Sequence, residues 1–278
     1  MSQLASSAVV GTPRISQLFV YPIKSCAGIS VPSLQFDEKG PLFDRRWMLV
    51  DAHTGIFLSQ RELPEMALIS TEINGEEVTA WQSMESNFTE CFTLPRTGRL
   101  LDISVWSDEV QGVDCGDDAA DWFTGLLGRE CRLVYQGECV RHADEKYALP
   151  GTGVSYADGF PLLVVNQSSI KFLNDECVDG EITAVNFRPN IVVENTEAFS
   201  EKAWREISTK SVSMKVVKPC ERCVIPTLNP KTAVSEKGIL TTLVKHCREN
   251  KKIYFGQNLT FEYQKGISLT LGQALAID

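Results

Sequence analysis

Ser213-Met214-Lys215-Val216-Val217-Lys218-Pro219-Cys220-Glu221-Arg222-Cys223 is the stretch on which the reading of this chain turns. Residues 213–217 alternate in the period of a strand, which runs into Pro219 and delivers two thiols in a Cys-x-x-Cys pair. Such a pair can be a redox couple, half of a zinc site, one metal thiolate with a bystander, or two buried free cysteines. A redox couple of the thioredoxin kind should open a helix, but Val224-Ile225-Pro226 comes next, and Pro226 opposes one. Zinc would need further donors, and the nearby downstream candidates, His246 and Cys247, are adjacent, so they would rarely face one ion. Arg222 beside the thiols favours a thiolate.

Outward from that stretch the chain reads as strand-rich. Ile15–Tyr21 is β-branched and aromatic and stops at Pro22, and Trp47–Val50 and Ile56–Leu58 flank a hairpin loop at 51–55. Asn74-Gly75 between Ile73 and Val78 is a strong hairpin-turn signal, and two short strands come after it at Cys91–Leu94 and Leu100–Val105. A helix begins near Asp117, with Asp117 and Asp118 as candidate caps, and closes at Gly128. Beyond it come strands at Arg132–Tyr135, Pro161–Val165 and Ile191–Val193, a polar loop from Gln136 to Asp158, and helices at about 167–175 and at Leu240–Arg248. The last strands are Leu259–Tyr263 and Ile267–Leu271, with a turn glycine between them. Strands outnumber helices by roughly two to one with no regular βαβ rhythm, which argues against a doubly wound parallel sheet and indicates a strand-dominated α+β protein. A domain boundary is expected near residue 130.

The 278 residues are 43% hydrophobic and 23% charged with a mean hydropathy of −0.09, the profile of a globular protein rather than a membrane or disordered one. No run approaches the ~18 apolar residues of a membrane span, and Met1–Thr12 reads as a loose tail rather than a signal peptide. A net charge of −9 argues against nucleic acid as a partner. A few focused cations can still hold a small anion inside an acidic protein. Nine scattered cysteines, an odd number, fit a reducing cytoplasm better than a disulfide framework.

Three segments could supply those cations. Tyr21-Pro22-Ile23-Lys24-Ser25-Cys26 ends a strand with a cation, a hydroxyl and turn N–H groups, which suits an oxyanion, although a solvated lysine in a turn is the simpler reading. In Phe43-Asp44-Arg45-Arg46-Trp47 one arginine is expected to pair with Asp44 or pack on Trp47 and the other to reach an anion. Arg188 stands in an apolar setting, so it must find either a structural carboxylate or a bound anion. There is no Gly-x-Ser-x-Gly or His-Glu-x-x-His, and His53, His142 and His246 are dispersed, which points to chemistry carried by a cofactor.

Seven segments together resemble the MOSC family, in the branch of the amidoxime-reducing components and their bacterial relatives. They are, in order, 21–26, Phe43–Val50, Val105–Val110, Ala157–Leu163, Asn186–Asn190, Lys218–Cys223 and Phe255–Leu259. The resemblance spans residues 14–275. It implies an N-terminal β-rich domain (12–130) and a MOSC β-barrel with peripheral helices (131–278), with a pterin bound between them. It further implies a molybdenum cofactor, Mo-molybdopterin, whose metal is ligated by Cys223, and a grip on the pterin and its phosphate by Lys24, Ser25, Arg45, Arg188 and Asn190. A soft thiolate suits such a metal. The activity implied is reduction of N-hydroxylated small molecules with electrons from a separate flavin, haem or iron–sulfur protein, since no iron–sulfur cysteine cluster precedes Asp278. A non-enzymatic cofactor or sulfur carrier is the alternative, and a zinc or metal-free structural domain a further one. One departure stands out: Glu221 occupies a position where family members often carry serine, and its carboxylate should repel an anion unless protonated, turned outward or paired with Arg222.

Overall fold

The computed structural model describes residues 11–83 and 89–278. Most of the expected tail, Met1–Thr12, lies outside the described residues. The N-terminal half supplies strands β1 (Arg14–Val20), β2 (Ser33–Asp37), β3 (Trp47–Asp51), β4 (Ser70–Asn74), β5 (Glu77–Ser83), β6 (Thr89–Thr93), β7 (Arg99–Val105) and β8 (Asp108–Asp114), helix α1 (Asp117–Leu127), and β9 (Cys131–Tyr135). The C-terminal half supplies β10 (Leu162–Asn166), α2 (Gln167–Glu176), α3 (Ala184–Phe187), β11 (Ile191–Glu194), β12 (Glu206–Ser208), β13 (Ser213–Arg222), α4 (Lys237–Cys247), β14 (Lys252–Phe261), β15 (Ser268–Thr270) and β16 (Ala276–Ile277). The protein is strand-dominated α+β, and among the described residues no helix is long and apolar enough to cross a membrane.

The main sheet runs β1-β11-β10-β14-β13-β12-β16, with β10 and β11 parallel and the other neighbours antiparallel. The segment before β16 then returns to β1: Gly272 N donates to Ile15 O (2.8 Å), Ile15 N to Gln273 O (3.0 Å) and Leu275 N to Pro13 O (2.8 Å). The path closes on itself as a barrel, which removes the open edges. Leu18, Val164, Ile191, Met214 and Leu259 fill the interior, while β2 and β15 pair with each other and add Leu34 and Leu269. On the outside, Phe19, Val165 and Val192 alternate with those residues and pack under α2, α3 and α4. Burial on both faces explains why β10 and β11 read as unbroken apolar runs.

A second antiparallel sheet, β3-β9-β8-β7, is covered by α1, with Ala119 and Phe123 against Trp47, Leu49 and Leu133. The hairpin β4-β5-β6 forms a third. The sheets do not follow chain order, because β1 and β2, near the N-terminus, are completed by strands from the C-terminal half.

Several local expectations change. Strand β8 falls where the acidic stretch Asp108-Glu109-Val110-Gln111 hid its alternation; it holds through a seven-residue ladder with β7. The hairpin turn is Gly75-Glu76, one residue past Asn74-Gly75: Asn74 pairs with Glu77, and the glycine takes the positive φ of +61°. Helix α1 is capped by Gly116 without a side-chain bond, so Asp117 and Asp118 act in the first turn, facing the helix dipole, not as caps. Helix α4 begins earlier than expected, at Lys237, and ends at Cys247. Strands β14 and β15 do not pair with each other across Gly266 but enter different sheets. Strand β13 does not stop at Pro219: its register against β14 shifts on either side of Lys218–Pro219, and at such a bulge a missing N–H is tolerated.

Candidate cofactor site

A cavity of about 490 Å3 lies where the barrel meets the second sheet, and Lys24, Ser25, Arg45, Arg188, Asn190 and Cys223 all line it. The 22–26 loop is stitched between the two units: Lys24 N donates to Trp47 O (2.8 Å), Trp47 N to Pro22 O (3.1 Å) and Arg45 N to Tyr21 O (2.7 Å). Lys24 is not a solvated turn lysine. Its side chain is buried, and Nζ donates to Tyr156 O (2.9 Å) and Asp158 Oδ1 (2.5 Å). Burial pulls its pKa below the usual lysine value, and Asp158 opposes that pull.

The two neighbouring arginines divide differently from expectation. Arg45 both pairs with Asp44, Nη1 lying 2.7 Å from Oδ2, and lines the cavity, while Arg46 turns away to Asp37 (2.6 Å). Asp44, almost fully buried, also accepts Tyr21 N (2.9 Å), so one carboxylate fixes the end of β1 and the cation beside it. Arg45 and Arg188 each sit 4.4 Å from the Tyr21 ring. Arg188 finds no structural carboxylate among the described residues. Its Nη1 donates to Cys26 O (2.7 Å), and its Nη2 is buried without a partner. Burial, with Arg45 close by, brings its pKa down to about 10. Asn190 is spent on bracing the fold: Oδ1 accepts Leu163 N (3.2 Å) and Nδ2 donates to Phe19 O (3.3 Å).

The end of β13 is irregular between Pro219 and Glu221, and Cys220, Glu221, Arg222 and Cys223 all reach the cavity wall. Glu221 is exposed and accepts a bond from Lys252 Nζ (2.7 Å), so its charge is answered, but by Lys252 rather than Arg222. Arg222 instead donates to Phe255 O (2.8 Å) and Phe187 O (2.9 Å), and its Nη2 is, after that of Arg188, the second buried guanidinium nitrogen at the cavity left without a partner. It lies over Gly256, whose φ is +76°; a Cβ there would meet Val164 O at 2.8 Å and Arg222 Nη2 at 3.3 Å. Cys223 is half-buried and its sulfur accepts Ile225 N–H (3.5 Å). Burial pushes the Cys220 thiol up, against the opposing pull of Arg222. Asn186, in the capping box of α3, donates to Pro226 O (3.1 Å) and so holds the turn after Cys223.

Cys223 leads into a short 3-10 turn at Ile225–Thr227, not an α-helix, so a helix-activated redox pair lacks its usual support. His246 is bonded to Glu176 and Cys247 is buried at the last position of α4, and among the described residues no three His, Cys, Asp or Glu gather around a point. The zinc alternative therefore has no donor set among them.

Five cations and two carboxylates line the cavity in a chain of net charge −9. Two guanidiniums there present an unsatisfied buried N–H group, a feature that is costly unless an acceptor arrives. Four of the ten non-glycine residues with positive φ among those described, Ser25, Arg45, Trp106 and Arg188, line this one cavity. Strain concentrated in this way marks a site held for a ligand. The residues fit an anionic, phosphate-bearing group beside a thiolate. Sequence reasoning did not single out Asp158, Trp106, Phe57 or Arg61 at this wall; the first two sit inside the family-like segments Ala157–Leu163 and Val105–Val110, and only their packing marks them.

Residues 12–130 match the MOSC N-terminal beta barrel domain and residues 151–276 the MOSC domain. The chain is 33% identical over 260 residues to mitochondrial amidoxime-reducing component 1 of Mus musculus, covering 89% of this chain and 75% of that protein. It is 30% identical over 264 residues to mitochondrial amidoxime-reducing component 1 of Homo sapiens, covering 91% and 77% respectively. It is also 30% identical over 262 residues to the molybdenum cofactor sulfurase of Bos taurus, there covering 87% of this chain but 29% of that longer protein.

Proposed function

This chain belongs to the MOSC family, and from that premise we propose that it is a molybdenum-cofactor oxidoreductase reducing N-hydroxylated compounds such as amidoximes and hydroxylated purine bases. The observation that carries the reading is the cavity wall: a half-buried thiolate candidate, Cys223, beside two arginines with unpartnered buried nitrogens. Cys223 would ligate molybdenum, and Arg188 and Arg222 would meet the pterin phosphate, with Lys24, Ser25 and Arg45 around them. Asn190 would act through the backbone it braces. When bound, the cofactor supplies the two-electron redox chemistry.

The chain's own residues bind, orient and supply protons. Arg45 and Arg188, stacked on Tyr21, hold a fixed cationic floor, and Asn186 keeps the turn after Cys223 in place. The net reaction breaks the N–O bond, consumes two electrons and two protons, and releases water. Lys24 Nζ, whose hold on its proton is weakened by burial, stands at the wall as a donor. Electrons come from a separate flavin, haem or iron–sulfur protein, and the scattered odd cysteines support a cytoplasmic setting.

The test is molybdenum and pterin content, with amidoxime turnover under a chemical reductant, for protein made in a cofactor-competent host. About one molybdenum per chain with turnover is expected. Loaded protein without turnover would indicate the carrier alternative, and zinc without pterin would sink both.

A further inference from the structure

The rim of the cavity carries a cluster that neither the pterin grip nor the thiolate uses. Trp106, in the turn between β7 and β8, has a φ of +58° and remains 47% exposed although it is a large aromatic residue at a cavity wall. Its indole N–H donates to Asp158 Oδ1 (3.3 Å), Phe57 lies 4.8 Å away centroid to centroid, and the Arg61 guanidinium lies 4.8 Å from its ring. The support is rigid. Phe57 N donates to Ser104 O (3.2 Å) and Ser104 N to Gly55 O (3.0 Å), locking this edge to β7. Gln60 Nε2 donates to Ser25 O (2.6 Å) and Glu62 accepts Ser59 N (3.1 Å), which fixes the turn that carries Arg61.

The lining cations are not equivalent. Lys24 is taken by Asp158, Arg45 by Asp44, and the free nitrogens of Arg188 and Arg222 are buried. Arg61 forms no ion pair within 4 Å among the described residues; its direct neighbour is an aromatic face, and the Asp158 carboxylate, held by Lys24, feels its charge only at longer range. A guanidinium stacked on an indole keeps its in-plane N–H donors available, so it can bind an oxyanion while the remaining aromatic surface takes a flat ring.

We propose that Trp106 and Arg61 form an outer subsite that receives the distal end of a planar, aromatic substrate and favours one carrying an oxyanion, such as a carboxylate or phosphate. This subsite rests on the reductase reading only for which end of the ligand enters first, and its binding preference can be measured without turnover.

The probes are benzamidoxime and 4-carboxybenzamidoxime, titrated calorimetrically into cofactor-loaded protein and also assayed for turnover, with phenylphosphate as the second oxyanion in competition. The carboxylated probe should bind roughly fivefold tighter than its parent, a modest ratio because the rim is open to water, and the ratio should shrink as salt is raised. Arg61→Gln should bring that ratio to about one, whereas Arg61→Lys should retain part of it. Trp106→Leu should weaken both probes, raising KM more than it lowers kcat. Equal binding of the two probes by the natural protein, or a preference that survives Arg61→Gln, overturns the subsite. A preserved preference without turnover upholds the subsite and counts against the reductase reading instead.

Discussion

Replacing Arg188 by Gln should weaken cofactor retention while leaving the cofactor-free fold as stable as before, or more so. Ordinarily, truncating one partner of a buried ion pair costs about 3–5 kcal/mol. Arg188 differs because no carboxylate among the described residues answers it; its pKa falls from the usual arginine value to about 10 through burial and the proximity of Arg45. A base whose pKa drops on folding binds its proton less tightly in the folded state. Its charge therefore opposes folding at every pH below about 10, and the penalty fades only as pH rises from there toward the ordinary arginine value. The difference corresponds to a ceiling of about 3 kcal/mol, reduced because the side chain is only part-buried. Against it stand the hydrogen bond to Cys26 O and the stack on Tyr21, each about 1 kcal/mol. The net expected change on urea unfolding of cofactor-free protein lies between zero and about +1 kcal/mol. Retention should move the other way, since a charge-assisted contact to a buried anion contributes on the order of 2–4 kcal/mol, thirtyfold or more in affinity. The assay compares Arg188→Gln with Arg248→Gln, a change at an exposed arginine. Loaded protein is desalted and its remaining pterin quantified by fluorescence after oxidation, alongside the urea curves. A cofactor-free Arg188→Gln protein that loses about 3 kcal/mol or more, with pterin retained as in the control, would refute the anion-site reasoning.

The two cysteines should separate: Cys223→Ser, a hard oxygen for a soft thiolate, is expected to abolish turnover and metal content, whereas Cys220→Ser should lose about 1 kcal/mol of packing and keep much activity. Equal inactivation of both folded variants would contradict the single-ligand assignment. Gly256→Ala, with its φ of +76° and a Cβ 2.8 Å from Val164 O, should destabilise by about 2–4 kcal/mol and push Arg222 off its seat. The checks are the urea midpoint and pterin retention, and an unshifted midpoint would refute it. Lys252→Ala should unmask Glu221 and weaken retention at low salt, with recovery in the double variant carrying Glu221→Gln; no recovery would show that the Lys252–Glu221 pair does not screen the site.

Much of this protein was legible in residue order alone. The apolar runs 161–165 and 191–193 announced strands because each is buried on both faces, and Ile15–Tyr21 did so by its β-branched and aromatic alternation. Arg188 stood out because a cation in an apolar setting must answer to something, Lys24 and Arg45 because they stand in turn segments beside apolar strands, and Cys223 through its Cys-x-x-Cys spacing. Other features were settled only when distant segments met. Strand β8 hides behind exposed acids and exists because β7 lies beside it, and β1 becomes a barrel strand because Gly272–Leu275 returns to it. Glu221 seemed a repulsive neighbour for an anion until Lys252, across the sheet, neutralised it. Arg45 and Arg46 are indistinguishable in sequence, but Asp44 and Asp37 draw them to different sides. Local propensity acts over a few residues and favours elements; burial and Coulomb energy act across space, and they selected which charges remained unpaired at the cavity.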